Sequence, residues 1–183
     1  MNAPRTRTDA RRRTVGALAV GALAVGLVGA AAPSAAGATG TTPQCSTADL
    51  AAQLKVGSPA AGQRYATVVL TDIGGRTCTV GGYGGLALLG APGQGVPTDL
   101  IRNASPAPTT VTLAPGGSAR SLLHWTVVPA VDESGTACEP TAVTVVVTPP
   151  NQTTAALRPW TFGVVCQHGR IDQDAYVAGS AAF

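Results

Sequence analysis

Short stretches of alternating apolar and polar residues, rich in Val and Thr, recur along the chain between clusters of Gly and Pro. Alternation with a period of two is typical of a β-strand with one buried face, and Gly/Pro clusters are typical of the turns that join strands. The pattern predicts strands over residues 65–73, 76–80, 86–89, 109–113, 118–128, 141–148, 157–166 and 171–177.

Helical periodicity is nearly absent from the sequence. Residues 47–54 could form a helix capped by Thr47, although an opening strand is the competing interpretation. The segment 90–108 is rich in Pro, Gly and Ala and predicts a long loop with at most one edge strand. Seven to nine short strands separated by turns favour an all-β fold, and specifically an antiparallel β-sandwich in a single domain.

The order of residue types at the N-terminus is that of a secretory signal peptide. Five arginines lie within the first 13 residues, an uncharged run of 18 residues follows over 15–32, and small residues come next. This order predicts a signal peptide over 1–36, cleaved after Ala36 or Ala38, and hence export. A retained membrane anchor is the alternative, because 18 apolar residues reach the lower limit for spanning a bilayer.

After the signal peptide, we expect a short linker over 37–44, one domain over 45–178 and a tail over 179–183. Five of the 12 basic residues and one of the nine acidic residues lie in the signal peptide, so the exported part carries seven basic and eight acidic groups. Such a domain has no basic field that would attract nucleic acid or an anionic membrane. We therefore expect no nucleic-acid partner, membrane contact only through an uncleaved signal segment, and a monomer.

Four cysteines follow the signal peptide: Cys45, Cys78, Cys138 and Cys166. An even number of cysteines in an oxidising compartment predicts two disulfides. Free thiols or a zinc site are the alternative, but the close Cys-x-x-Cys spacing that zinc sites favour is missing. From the residues alone, all three pairings remain open.

One glycine-rich segment lies between two predicted strands: Gly82, Tyr83, Gly84 and Gly85. Together with Ala87 it matches the dinucleotide fingerprint, which requires a following helix to hold the pyrophosphate. Only four apolar residues follow before the next turn, too few for that helix. We therefore predict a bend between strands with Tyr83 packed over it, and no cofactor.

Candidate catalytic groups are few. His124 lies beside Trp125 in a predicted strand, with Ser118, Ser121 and Asp132 nearby in sequence. Neighbours on one strand do not form a catalytic triad, and the sequence has no Gly-x-Ser-x-Gly elbow. We expect His124 to be partly buried and structural.

One cluster near the C-terminus resembles a metal or catalytic group: His168, Asp172 and Asp174. Calcium needs more oxygen ligands than these, and zinc would need another His or Cys, so we expect a solvated turn and no metal. The adjacent Asp132 and Glu133 lie in a predicted turn, where their side chains would diverge, and we expect them at the surface rather than as a glycosidase pair.

Five aromatic residues could supply a sugar-binding platform: Tyr65, Tyr83, Trp125, Trp160 and Tyr176. Trp125 and Trp160 lie within apolar predicted strands, however, and are expected in the core. Coplanar, exposed rings would be required for a carbohydrate-binding module.

The order of several motifs resembles a known bacterial family. The motifs are CSTADL at 45–50, GQRYATVVLT at 62–71, GRTCTV at 75–80, GYGGLALL at 82–89, LAPGGSA at 113–119, HW at 124–125, CEP at 138–140 and VVC at 164–166. They resemble the secreted family known as domain of unknown function 4232, over about residues 45–178. The resemblance implies an exported or envelope-attached, immunoglobulin-like β-sandwich with the bridges Cys45–Cys78 and Cys138–Cys166.

The resemblance implies no activity, catalytic residue or ligand. The chain also departs from the family at Gly84, where members commonly have proline, and a glycine there is expected to loosen the bend. The sequence thus favours a non-enzymatic binding or accessory module whose partner is an envelope protein or a cell-wall glycan. The alternatives are a carbohydrate-binding module and a small secreted hydrolase that uses His124 or the group formed by His168, Asp172 and Asp174.

Overall fold

The structure, a computed structural model, describes residues 40–133 and 138–182. The predicted signal peptide and the first residues of the predicted linker lie outside the described residues. Within the two described ranges, no helix has the length and apolar character needed to cross a membrane.

The described residues form twelve β-strands and one short 3-10 helix. In chain order these are the helix Thr47–Asp49 and the strands β1 (Leu50–Val56), β2 (Gln63–Asp72), β3 (Cys78–Gly81), β4 (Gly85–Leu89), β5 (Gly95–Val96), β6 (Asp99–Arg102), β7 (Thr110–Leu113), β8 (Ser118–Thr126), β9 (Thr144–Thr148), β10 (Ala156–Pro159), β11 (Arg170–Gln173) and β12 (Val177–Ala178). The all-β prediction is confirmed.

The strands pair into three sheets. A six-stranded sheet has the order β1-β2-β8-β11-β6, with β12 beside β8; a four-stranded sheet has the order β10-β9-β4-β5; and β3 pairs with β7. The neighbours pair antiparallel, except for β6 and β11, which run parallel at the edge of the six-stranded sheet.

The longest ladder joins β2 to β8 over nine residue pairs, from Gln63–Thr126 to Thr71–Ser118. Successive side chains on a strand point to opposite faces. On the inner face, Leu123 and Trp125 are buried. On the outer face, Tyr65 pairs with His124 and their rings stack.

Both larger sheets contribute to one hydrophobic core. Trp125 of the six-stranded sheet contacts Trp160, with ring centroids 5.1 Å apart, and Phe162 meets both rings edge-on. Val145 and Val147 of the four-stranded sheet belong to the same buried cluster. Burial of these apolar side chains is the main term that holds the sheets together.

Two disulfides connect loops to this core, Cys45–Cys78 and Cys138–Cys166. This is the pairing that the family resemblance implied. Cys45 and Cys78 are both buried, and the Cys45 N–H donates to the carbonyl of Thr79. The first bridge therefore fixes the start of the domain against β3.

The helix interpretation of residues 47–54 is wrong beyond its first turn. The 3-10 helix ends at Asp49, whose carboxylate accepts hydrogen bonds from the N–H and hydroxyl of Ser46. Leu50 and Ala52 then alternate into the core as part of β1. The alternation of apolar residues with a period of two outweighs the helix propensity of the alanines, because β1 pairs with β2 and its apolar side chains are then buried.

The segment 90–108 contains two short strands, β5 and β6, where the sequence predicted at most one. The strand predicted over 157–166 ends at Pro159. Trp160 continues the same alternation into the core and its N–H donates to the carbonyl of Val143, and the chain bends at Phe162. The described part of the predicted tail is bonded to the six-stranded sheet: Gly179 N–H donates to Ser118, and the Lys55 ammonium donates to the carbonyl of Ser180.

Removing the first bridge tests its contribution to stability. The double substitution Cys45→Ala/Cys78→Ala is expected to lower the free energy of unfolding by about 3–4 kcal/mol, because the bridge restricts the unfolded chain. Urea unfolding followed by tryptophan fluorescence measures this difference. Under reducing conditions, the variant and the wild type should unfold at similar urea concentrations; equal midpoints under oxidising conditions would contradict the prediction.

Candidate functional site

A polar pocket of about 250 Å³ lies beside His124, and we call it the His124 pocket. It forms where β2, β8 and the segment before β11 meet, because His124 pairs with Tyr65 on one side and with Asp172 on the other. The lining residues are Gln63, His124, Trp125, Thr126, Gln167, Arg170 and Asp172.

Both ring nitrogens of His124 are engaged. Nε2 lies 2.7 Å from the side-chain amide of Gln63, and Nδ1 lies 3.5 Å from Oδ2 of Asp172. The oxygen and nitrogen of an amide exchange places on rotation. A neutral ring can therefore donate from Nδ1 to Asp172 and accept at Nε2 from the Gln63 NH2. The ring also stacks on Tyr65, with centroids 4.8 Å apart.

Asp172 links His124 to Arg170. Its Oδ1 accepts from Nη2 of Arg170 at 2.9 Å, while its other oxygen faces the histidine. The hydrogen bond to Asp172 and the negative charge of that residue raise the pKa of Arg170. The four polar side chains thus form one row, in the order Gln63, His124, Asp172, Arg170, that crosses three adjacent strands.

Neither serine near His124 in sequence contacts it. The Ser121 side chain is buried and donates to the carbonyl of Asp174, whereas the hydroxyl of Ser118 pairs with that of Thr71. The sequence placed these serines within a few residues of the histidine, but strand alternation directs Ser121 to the inner face.

The residues predicted as one group near the C-terminus lie in three separate contacts. His168 Nε2 is 3.2 Å from Asp132, Asp172 faces His124, and Asp174 accepts from Asn103 at 2.8 Å. The group of His168, Asp172 and Asp174 is therefore not assembled. Closeness in sequence suggested it, but each side chain is used by a different neighbouring strand or loop.

Glu133 connects two loops through hydrogen bonds. Its carboxylate accepts backbone N–H groups from Ala130, Gln167 and His168. These hydrogen bonds, that from His168 foremost, lower the pKa of Glu133. Gln167 and His168 both have positive φ, near 57° and 58°, a conformation that costs free energy for residues other than glycine and needs such support. The sequence predicts Glu133 at the surface, but nothing in it indicates these hydrogen bonds.

One possible ligand cluster lies beside this contact. Atoms of Glu133, Glu139 and His168 lie within 4.8 Å of one another. Both oxygens of Glu133 already accept backbone N–H groups, however, and the nearby Cys138 and Cys166 are joined in a disulfide, so they offer no thiolate. Because these groups already have partners, the cluster does not indicate a metal site.

The two tryptophans do not form a sugar-binding platform. Trp125 is 1% exposed and Trp160 is 4% exposed, with the indole N–H groups donating to Val164 and Gly163. Tyr176 is also buried, and burial raises its pKa. A platform of coplanar, exposed rings therefore cannot include these three residues.

Tyr83 lies over the glycine-rich bend. Its hydroxyl donates to the carbonyl of Asn103, and the guanidinium of Arg102 lies 5.5 Å from the ring centroid. Gly82 has φ near +82°, which favours glycine. A Cβ at Gly84 would lie 2.7 Å from the carbonyl oxygen of Thr148, so in this chain the close approach of the bend to β9 leaves no room for the proline that family members commonly have there.

The chain matches the family described as domain of unknown function (DUF4232) over residues 45–177. It belongs to this family. Comparison with curated proteins and with solved structures gives no match. The DUF4232 match begins at the first cysteine and ends in β12, so it includes both bridges and every residue of the His124 pocket.

The contact between Glu133 and the 167–168 segment predicts a local dependence on pH. Because the pKa of Glu133 is lowered in the folded protein, its stabilising effect is complete above the ordinary value of 4.5 and is lost as the pH falls through the lowered value. Hydrogen exchange at the amides of Gln167 and His168 should therefore accelerate, relative to the rest of the domain, on acidification.

The variant Glu133→Gln tests this origin. In this variant, the backbone amides of Gln167 and His168 should exchange faster already at pH 7, and their exchange should lose most of its extra acceleration on acidification. The reason is that the uncharged Gln side chain is a weaker hydrogen-bond acceptor than a carboxylate. Glu139→Gln is the matched control, since Glu139 accepts neither of the two amides, and it should behave as wild type. Unchanged protection in Glu133→Gln at pH 7 would contradict the assignment.

Proposed function

We propose that this DUF4232 protein is a secreted or envelope-associated, non-enzymatic binding or accessory module that contacts its partner at the His124 pocket. Two disulfides suit an oxidising compartment outside the cytoplasm, and the N-terminal sequence has the order of an export signal. Few charged groups and the absence of a sequence motif for a nucleophile support a binding role.

The observation that carries this proposal is the mutual pairing of polar groups in the pocket. A general base needs a free nitrogen near the substrate, but Nε2 of His124 is already 2.7 Å from Gln63. Asp172 likewise has both oxygens in contact, with His124 and Arg170. Side chains held in this way on adjacent strands lose little conformational entropy on binding, which favours recognition.

The groups that remain available suit a partner rich in oxygen acceptors. Arg170 is half exposed, and both Gln63 and Gln167 carry amide donors at the pocket lining. Carbonyl and hydroxyl oxygens of an envelope protein or a cell-wall glycan would meet these donors. The pocket is small, so it would accept one side chain or one sugar unit of a larger partner.

A hydrolase is the second candidate, and one contact favours it. Nδ1 of His124 lies 3.5 Å from Asp172, the arrangement by which a carboxylate orients a catalytic histidine. In this role, Gln63 would have to turn away from Nε2, and water would serve as the nucleophile, because Ser118 and Ser121 make other contacts.

One set of proteins tests both candidates. The wild type, His124→Ala and His168→Ala are immobilised and incubated with purified cell wall and with exported proteins from the same culture. We expect retention by the wild type and by His168→Ala, and about a tenfold loss with His124→Ala, which removes both the ring stack and two polar contacts. If the wild type retains neither cell wall nor exported protein, the binding proposal is contradicted. If the wild type releases soluble fragments from either material and His124→Ala does not, the hydrolase is favoured instead.

A further inference from the structure

A groove runs along the open side of the domain, where the edge strand of one large sheet faces the edge strand of the other. Two depressions of about 390 and 250 Å³ share Thr161 and Phe162, so they are continuous. The first lies against β1 and β10, and the second continues past the end of β1. We call the two together the edge groove.

Apolar side chains form much of this groove. Leu54 and Phe162 are half-buried and pack on the core from one side, so their other side is available to a ligand. Val56, which lines the second depression at the end of β1, is 70% exposed. An exposed apolar residue on an edge strand is costly in water unless a partner covers it.

The backbone of β1 offers hydrogen bonds along the groove. β1 is the terminal strand of its sheet. The N–H of Gly57 donates to Tyr65, and that of Ile73 donates to Asp49, so odd-numbered residues of β1 direct their backbone groups to β2. The even-numbered residues Leu54 and Val56 therefore direct their N–H and C=O groups to the open edge.

The opposite edge does not offer the same pairing. On β10, Pro159 has no N–H, and the carbonyl of Leu157 accepts from Nη1 of Arg158. The Nε of Arg158 reaches across to the carbonyl of Ala52 at 2.6 Å. An added strand would thus pair with β1 beyond Ala52 rather than with β10.

The charge of the groove is positive. Arg158 lines the first depression and Arg64 the second, and neither set of lining residues includes an acidic one. Within residues 40–133 and 138–182, neither guanidinium takes part in a salt bridge; both donate to backbone carbonyls. A guanidinium with carbonyl partners alone keeps its charge available to a carboxylate.

From these four features we propose that the edge groove binds an extended acidic peptide segment of a partner protein, which adds to the six-stranded sheet as a strand beside β1. Main-chain hydrogen bonds to Leu54 and Val56 would hold the peptide, apolar side chains would cover Phe162, and carboxylates at its two ends would meet Arg158 and Arg64. This mode of strand addition takes its affinity from the backbone and its specificity from alternate side chains.

The spacing sets the form of the peptide. Arg158 contacts Ala52 near the start of β1. Arg64 lies near the other end of β1, because it is two residues before Ala66, the partner of Val56. A strand that spans this distance needs about seven residues at roughly 3.3 Å each. Side chains alternate, so acidic residues belong at the first and seventh positions and apolar ones at the third and fifth.

Fluorescence anisotropy with labelled heptapeptides tests the proposal on the full chain. The probe is ETVTLTE, and KTVTLTK is its charge-reversed counterpart. We expect ETVTLTE to bind and KTVTLTK to bind at least tenfold more weakly. Arg64→Gln, which leaves the contact of Arg158 with Ala52 in place, should weaken ETVTLTE about threefold, and Arg64→Gln/Arg158→Gln about tenfold, as ion pairs at partly exposed sites allow.

Two further measurements separate strand addition from charge attraction alone. Arg76→Gln removes an exposed arginine outside the groove and should bind as wild type. Two N-methylated forms of ETVTLTE are compared, one methylated at its three Thr residues and one at its Val and Leu residues. Each form lacks the backbone N–H donors of the methylated residues. Strand addition predicts that one of the two sets weakens binding about tenfold and that the other leaves it within twofold.

Equal binding of both unmodified peptides, an equal effect of the two methylation sets, or no binding of ETVTLTE would overturn the proposal. Concentration-dependent dimerisation that Arg64→Gln/Arg158→Gln abolishes would also overturn it, since a second copy would then be the occupant. The edge groove and the His124 pocket share Trp125 in their linings, but the proposed peptide contacts do not include His124. His124→Ala, which should lose retention on cell wall or exported protein, should therefore bind ETVTLTE within twofold of wild type, whatever the outcome at that pocket.

Discussion

The nine residue pairs between β2 and β8 determine which side chains enter the core and which reach the polar pocket. Because side chains alternate along a strand, a shift of one residue in this ladder would exchange the two faces. In the observed register, Leu123 and Trp125 are buried against the second large sheet. The same register stacks Tyr65 on His124 at the opposite face and leaves the histidine beside Asp172.

The core therefore fixes the positions of the His124 pocket and the edge groove as well as the fold. Trp125, Trp160 and Phe162 pack between the two large sheets, and the side of Phe162 that is turned away from the core lines the edge groove. With 11% charged residues, the chain depends on apolar burial and on its two bridges more than on ion pairs. A cavity at Trp125 would disturb both the fold and the groove.

The sequence allowed the two long strands within residues 65–73 and 118–128 to be predicted, because both are rich in residues that favour strands: β8 buries alternate residues from Ala119 to Trp125, and β2 is buried on both faces over 66–70. Contacts that depend on distant pairing could not be predicted in this way. His124 meets Asp172 only because β8 and β11 are neighbours, and β6 forms only where β11 supplies a parallel partner. The role of Glu133 was equally hidden, since a carboxylate in a turn gives no sign of the backbone amides that it accepts.

The register of β2 and β8 is the most direct point at which this account can be tested. The backbone N–H groups of Asp72 and Val127 form hydrogen bonds just beyond the two ends of this ladder. Because hydrogen-bonded and non-hydrogen-bonded pairs alternate along an antiparallel ladder, Tyr65–His124 and Thr67–Leu122 are non-hydrogen-bonded pairs, whose Cα atoms approach to about 4.5 Å. Nuclear Overhauser contacts between the Hα protons of these pairs measure the register in solution. We expect strong contacts for Tyr65 with His124 and for Thr67 with Leu122. Strong contacts shifted by one residue, such as Tyr65 with Trp125, would contradict it.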